Sequence, residues 1–548
     1  MKAKKILLIT PPMTHAHPMF ELSSLYTKLK GRKLFYYMPY NTSVLTAALK
    51  NSSYEATQAD LNTLIYKHNL KVPLFSKKRI RLNSLNNRRV FENNYIGRKL
   101  NSKKLLKLAE NIISIIDLKD VDLVGFSVFS KHEYFPAILL AQAIKTINDR
   151  IKIVIGGPLI IHAKFHCFKE LNFVDYLISG DGETSLVQLV NHLCGKTRIE
   201  DVANLIYRND SGVVNNKMEI SPIENQCIPD FSGLDISDYF DNKSHSIGIT
   251  IPYMLTRGCV NKCSFCSNPF VDKYECKSFE KVIEELKILK IKYSALEIPF
   301  IVANIIQSDL KGLCHALTKA NLKINWIVAV NAVELDKELI TLMRDAGCAA
   351  VRIGLESGSN RILSSMNERY TAESAVEMIR YAKKMKIKIT VSIISGYPHE
   401  RAADIRDNIT LLKEICSMCK IIIHPFTIAY NSSIYNYPEK HGVEVLSTKD
   451  GCGISQYAYN EIGGFSWPIK KAFAEYSYFR LRTYHNFLKS KLLLQRAFQT
   501  FDNVFIIMSF KCFIGMMICF FHQSWAWFLF NCQCLILKQK KIEGKSYK

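Results

Sequence analysis

Three cysteines within eight residues constrain this chain more than any other feature. In Arg257-Gly-Cys-Val-Asn-Lys-Cys-Ser-Phe-Cys-Ser-Asn-Pro269, Cys259, Cys263 and Cys266 form a C-x3-C-x2-C array directly behind the strand-like run 249–255. Thiols this close on one loop can converge on a single metal centre, and soft thiolates suit an iron–sulfur cluster or zinc. The count bears on the choice. A closed structural zinc site wants four ligands, with Cys276 as the available fourth. A four-iron cubane held by three cysteines leaves one iron open to chelate a small molecule.

The surrounding pattern predicts an α/β protein in sections. Residues 1–200 alternate strand and helix, with strands at 5–9, 54–60, 121–127, 151–155 and 174–178, which argues for a Rossmann-like parallel sheet. Small residues close several of these strands: Ser127, Gly156, Gly157, Gly180 and Gly182. They would let a ligand approach the backbone at the carboxyl ends, where open sheets bind. A lysine- and arginine-dense insertion occupies about 65–105, and residues 201–248, rich in turn formers, read as a linker. From 249 to 435, strand-like runs at 295–301, 324–330, 349–354, 387–394 and 421–427 alternate with helical stretches and predict a full or partial (β/α) barrel. Residues 436–548 read as a mostly helical, apolar region. Its segment 504–537 lacks a clean transmembrane run, so a buried cap or a membrane-surface contact through 504–541 fits better.

The cysteine array, with Phe265 before its third member, resembles the cluster loop of radical S-adenosylmethionine (SAM) enzymes. The resemblance implies a 4Fe-4S cluster on Cys259, Cys263 and Cys266 whose open iron binds SAM, and reductive cleavage of SAM to a 5′-deoxyadenosyl radical. Arg352-Ile-Gly-Leu-Glu-Ser-Gly358 resembles the family's fourth-strand motif, and Ser392–Glu400 its fifth, with His399 where glycine is usual. By that likeness Phe265, Arg352, Glu356, Ser357 and Gly396 contact SAM. The order of turns in the first section resembles the cobalamin-binding domain that precedes the barrel in one class of these enzymes. That implies a cobalamin cradle from Thr10, Pro11, Ser127, Gly156, Gly157, Gly180 and Glu183, with Asp181 where the family more often has glutamate. There is no Asp-x-His-x-x-Gly, so no histidine is marked as a lower cobalt ligand.

A formal charge of +24 arises mostly from dispersed lysines, which a solvated basic surface explains better than nucleic-acid binding. Sixteen scattered cysteines and no signal-peptide pattern fit a reducing, cytoplasmic setting, with membrane association left open. Cys416 and Cys419, with Cys452 beyond, read as core cysteines rather than an auxiliary cluster. The resemblance implies a methyltransferase acting on an unactivated carbon or phosphorus centre of a small-molecule or lipid-like substrate. It would be fed electrons by a donor such as flavodoxin or ferredoxin. The competing readings are a radical oxidoreductase or cyclase, and a non-catalytic corrinoid or cluster sensor. Transfer-RNA methylthiolation is disfavoured, since no cysteine precedes Cys167. No residue is marked as catalytic by the sequence.

Overall fold

The computed structural model describes residues 4–12, 38–68, 103–129, 131–162, 168, 171–239, 249–268, 273–446, 457–500 and 503–542. They fall into two compact units, one ending at Pro252 and the other beginning at Tyr253.

In the first unit, β1 (Lys5–Thr10), α1 (Tyr40–Asn51), β2 (Glu55–Asp60), α2 (Leu61–Lys67), α3 (Lys103–Ile113), β3 (Leu123–Ser127), α4 (Lys131–Ile147), β4 (Lys152–Gly156), α5 (Pro158–His162), β5 (Tyr176–Ile178) and α6 (Gly182–Leu193) precede β6 (Leu205–Asn209) and β7 (Gly212–Asn215). The strand order is β2-β1-β3-β4-β5-β6-β7; the first five in that order run parallel, and β6 and β7 are antiparallel additions. Helices on both faces require strands apolar on both faces. In β1, Ile6 and Leu8 join one core with Leu186 and Leu189, while Leu7 and Ile9 join the other with Ile138. Each such fully buried side chain contributes about 1.5–3 kcal/mol. The chain leaves β1 in one direction and β3 in the other, so a crevice opens between their carboxyl ends.

Residues 205–215, expected to belong to a linker, instead extend this sheet as a hairpin. The chain beyond β7 wraps the same unit: Gln58 Nε2 donates to the carbonyls of Asp230 (2.6 Å) and Ser232 (3.1 Å), and Tyr239 OH donates to Asp60. Turn formers at 209–212 marked a hairpin turn rather than a free connector. Most of the expected basic insertion lies outside the described residues. Its near edge pairs locally, Lys67 with Asp235 at 2.7 Å.

The second unit contains β8 (Tyr253–Met254), α7 (Phe279–Tyr293), β9 (Ala295–Ile301), α8 (Gln307–Ala320), β10 (Asn325–Asn331), α9 (Lys337–Asp345), β11 (Cys348–Glu356), α10 (Ala372–Lys384), β12 (Lys388–Ser395), α11 (Ala402–Ile415) and β13 (Lys420–Pro425). The strands pair in parallel in sequence order from β8 to β13. Among the described residues β13 does not pair back to β8, so the barrel is partial. Strands β9 to β13 stand within a residue or two of their sequence-based positions. In β11 the odd-numbered Val351, Ile353 and Leu355 are buried, while Arg352 on the alternate face is exposed.

Two long helices complete this unit, α12 (Trp467–Thr500) and α13 (Asn503–Ile542). The start of α12 seats on the turn after β12, where Ala474 occupies the space a side chain on Gly396 would need. The stretch Cys512–Asn531 of α13 is long and apolar enough to cross a bilayer, yet only 11% of it is buried. The expectation that this segment lacks a run of transmembrane length is therefore not met, and neither is that of a buried cap.

Candidate functional site

The cysteine loop leaves β8 at its carboxyl end, through a short antiparallel pairing of Thr256–Arg257 with Glu275–Cys276. It is held from the segment beyond the end of β11. Ser264 N donates to Met366 O (2.9 Å), Asn367 Nδ2 to Lys262 O (2.8 Å), and Arg369 Nη2 to the buried Asn261 Oδ1 (2.7 Å). Ser264 Oγ lies 2.7 Å from Tyr397 OH, which donates to Ser365 O. Phe265 is half-buried against the apolar cluster of Ile362, Met366 and Tyr397.

Cys259, Cys263 and Cys266 are free thiols, and burial pushes all three above the usual thiol range; the nearby Glu368 carboxylate adds to that rise. A buried thiol becomes a thiolate when a cationic centre replaces the lost hydration. Among the described residues no three or more His, Cys, Asp or Glu side chains converge as a single ion would need. Cys276, the candidate fourth zinc ligand, turns its thiol to Lys277 O (3.5 Å). The Cys259, Cys263 and Cys266 thiols lie close enough to influence one another electrostatically, and soft thiolates so placed suit an iron–sulfur cluster.

Acidic and amide groups line the neighbouring strand ends. Glu334 accepts from Asn304 Nδ2 (3.3 Å) and Gln307 N (3.0 Å); Asn331 N donates to Asn304 Oδ1 and Asn331 Nδ2 to Glu368 Oε2, each at 2.9 Å. Glu356 sits at a register break in β11 with φ +50°, a left-handed conformation that aims its carboxyl sideways. Gly354 leaves room for it, since a Cβ there would stand 2.5 Å from Glu356 Oε1. Burial, then the nearby Glu368 charge, raises the Glu356 carboxyl to about 8.

Two expected contacts are otherwise employed. Ser357 is fully buried, its hydroxyl donating to Asn408 Oδ1 (3.4 Å) and accepting from Ser359 N (3.1 Å), so it braces the turn. Gly396 is covered by Ala474, and its N–H donates to Glu400 Oε2 (2.9 Å). Arg352 and Glu356 are not the buried, bracing pair that an Arg–Glu motif can form, since Arg352 is exposed. Asn331, Glu334, Glu368 and Arg369 went unmarked by the sequence; the only hint was the polar run Asn367-Glu-Arg-Tyr370.

In the first unit, Thr10 and Pro11 close β1, Ser127 closes β3, Gly156 and Gly157 close β4, and Gly180 follows β5, all at one edge. Gly157 has φ +106°, and a Cβ on it would lie 2.4 Å from Val128 O. Gly180 lies against Asn204 in the same manner, at 3.0 Å. Thr10 Oγ1 is 3.2 Å from Thr42 Oγ1, and Glu183 accepts from Gln226 Nε2 (2.9 Å), which Tyr40 OH fixes in turn (2.8 Å). Backbone, small side chains and hydroxyls thus line the edge formed by the strands' carboxyl ends. Elsewhere, Cys416 and Cys419 lie in the turn between α11 and β13, with the Cys419 thiol donating to Ile415 O (3.3 Å); Cys452 lies outside the described residues.

A family model of the radical SAM superfamily matches residues 253–412, and one of the B12 binding domain matches 84–190. An uncharacterized methyltransferase of Pyrococcus horikoshii is 27% identical over 311 residues, 56% of this chain and 67% of that protein. The anaerobic magnesium-protoporphyrin IX monomethyl ester cyclase of Rubrivivax gelatinosus is 27% identical over 312 residues, spanning 54% of each. The radical SAM methyltransferase TsrM of Kitasatospora setae, solved with cobalamin and a [4Fe-4S] cluster, superposes with a TM-score of 0.56 at 16% identity, over 82% of this chain and 78% of that one. The partial barrel and its three-cysteine loop define a radical SAM enzyme. A radical SAM domain and a B12-binding domain thus stand together in one chain, the combination found in cobalamin-dependent radical SAM enzymes. Its cofactors are a 4Fe-4S cluster, SAM and cobalamin.

Proposed function

We propose that this enzyme is a methyltransferase acting on an unactivated carbon or phosphorus centre of a small-molecule or lipid-like substrate, with electrons from a flavodoxin- or ferredoxin-like donor. The carrying observation is the pairing, in one chain, of a clamped three-cysteine loop with a sheet whose strand ends are stripped to glycine and small hydroxyl residues. The methyltransferase of Pyrococcus horikoshii supports the reaction class.

When bound, these cofactors supply one-electron cleavage of SAM, hydrogen abstraction from substrate and a transferable methyl group. Cys259, Cys263 and Cys266 would hold the cluster, and Ser264, Asn261 and Lys262 keep their loop in place through the 365–369 segment. Phe265, Arg352 and Glu356 would contact SAM from the open face of the barrel, while Ser357 and Gly396 set the backbone behind it. Thr10, Pro11, Ser127, Gly156, Gly157 and Gly180 would admit the corrinoid to the strand ends, with Glu183 bracing them. A cyclase that moves no methyl group is the second reading, because the Rubrivivax gelatinosus cyclase is also 27% identical, over 54% of each chain.

Anaerobic reconstitution tests the cofactor assignment. It should give one four-iron cluster whose electron paramagnetic resonance signal changes on adding SAM, together with one cobalamin per chain. Cys263→Ala should lose the cluster and keep the cobalamin. Stoichiometric zinc with no iron spectrum would overturn it.

A further inference from the structure

Helix α13 is arranged inside out for a protein surrounded by water. The side it turns to α12 is small or polar over much of its length. Ser509 Oγ lies 2.8 Å from Ser490 Oγ, Asn486 Nδ2 approaches Cys519 Sγ at 3.8 Å, and Gly515 lets Asn486 come close, while Cys519 and Ala526 are buried. Farther along, His522 stacks on Phe479 at 4.9 Å, and Phe530 meets Phe473 at 5.8 Å, so the two helices run antiparallel side by side. The opposite side carries the bulk. Ile514, Ile518, Phe521, Trp525 and Phe528 recur at spacings of four and three and form one stripe, with Phe521 65% and Trp525 61% exposed. A helix on a water-soluble protein turns such a stripe inward; small residues between helices and large apolar ones outside are what lipid favours.

Charge identifies the kind of surface. Apart from the buried Lys470, six Lys and Arg in α12 and four in α13 make ten cations, against the single carboxylate of Glu475. Aromatic side chains flanked by cations match the boundary between acyl chains and anionic headgroups. Geometry excludes threading across the bilayer. α13 is paired along α12, which carries Arg480, Arg482, Lys489 and Lys491, and a spanning hairpin would carry these into the hydrocarbon. The start of α12 is also held within the protein, Lys470 Nζ donating to Tyr397 O (2.7 Å) and Ser477 Oγ to Glu400 Oε2 (2.8 Å).

We propose that the Ile514–Phe528 stripe of α13 lies in the surface of an anionic phospholipid bilayer, parallel to its plane, and docks the enzyme there without crossing it. This inference stands apart from the catalytic reading.

The test is flotation of the full-length, reconstituted protein with phosphatidylcholine vesicles and with vesicles containing phosphatidylglycerol. The expected result is binding to the anionic vesicles, weakened by salt, with at least a roughly tenfold loss in the F521E/W525E double variant. Both positions are exposed, so the variant's iron content and unfolding temperature should match the parent's. Absence of flotation on anionic vesicles would overturn the proposal, as would equal flotation by the variant. Vesicle-free, concentration-dependent association that the same substitutions abolish would instead assign the stripe to a second copy of the chain, and would equally overturn it.

Discussion

Replacing Lys470 with methionine probes how the C-terminal helices support the barrel. The Lys470 and Glu461 side chains are 0% and 3% exposed, with Nζ and Oε1 2.8 Å apart. Glu461 also accepts from His399 N (2.6 Å) and Phe465 N (3.2 Å), and Glu400 lies in the same buried network. Burial alone would raise the Glu461 carboxyl, but Lys470 beside it brings it below its ordinary value. Burial lowers the Lys470 ammonium, with Glu461 and Glu400 opposing. Removing one partner of such a pair leaves a buried charge uncompensated, at about 3–5 kcal/mol. For a unit of this size that corresponds to a fall of roughly 6–20 °C in the apparent unfolding temperature. The Gly396–Glu400 turn should loosen with it. Thermal and urea unfolding of K470M, E461Q and the double variant, followed by circular dichroism, forms a double-mutant cycle. The double variant should recover at least about half of the K470M loss. A K470M protein within about 1 kcal/mol of the parent, or additive losses, would refute the reasoning.

Gly157→Ala should destabilise the first unit by at least about 2 kcal/mol and weaken cobalamin binding, because it adds left-handed strain to a collision with Val128 O; parental cobalamin affinity and melting would contradict this. His485 is held down to about 4 by burial, with the Lys489 and Arg482 charges assisting. The unfolded chain therefore takes up its proton first as pH falls, and the contribution, full above about pH 6.5, is lost between 6.5 and 4, up to ~3 kcal/mol. Measured by urea unfolding across that window, His485→Asn should flatten the acid side of the stability profile, and an unchanged slope would count against it.

Periodicity made the strands legible. The βα repeat of the barrel and the buried runs of the first sheet lie where apolar patterning put them, because burial on both faces leaves little freedom in a parallel strand. The cysteine loop was equally plain, since spacing alone brings its thiols together. What the sequence hid depends on partners far away in the chain. Ser357 carries the right hydroxyl for a cofactor contact, yet Asn408 captures it. Gly396 resembles a ligand-facing glycine, yet its space serves Ala474, 78 positions later. Residues 205–215 looked like a linker because a hairpin's turn formers and a connector's are the same residues. The arrangement of α13 was hidden for a similar reason: composition shows that a segment is apolar, but only its pairing with α12 shows which side faces out.

The central claim, methyl transfer by a cobalamin-dependent radical SAM enzyme, is tested most directly by counting nucleosides. Reduced, cobalamin-loaded enzyme incubated with cell extract should release S-adenosylhomocysteine and 5′-deoxyadenosine in roughly equal, cobalamin-dependent amounts, since one SAM supplies the methyl group and another is cleaved. Release of 5′-deoxyadenosine alone, unchanged when cobalamin is omitted, would contradict it.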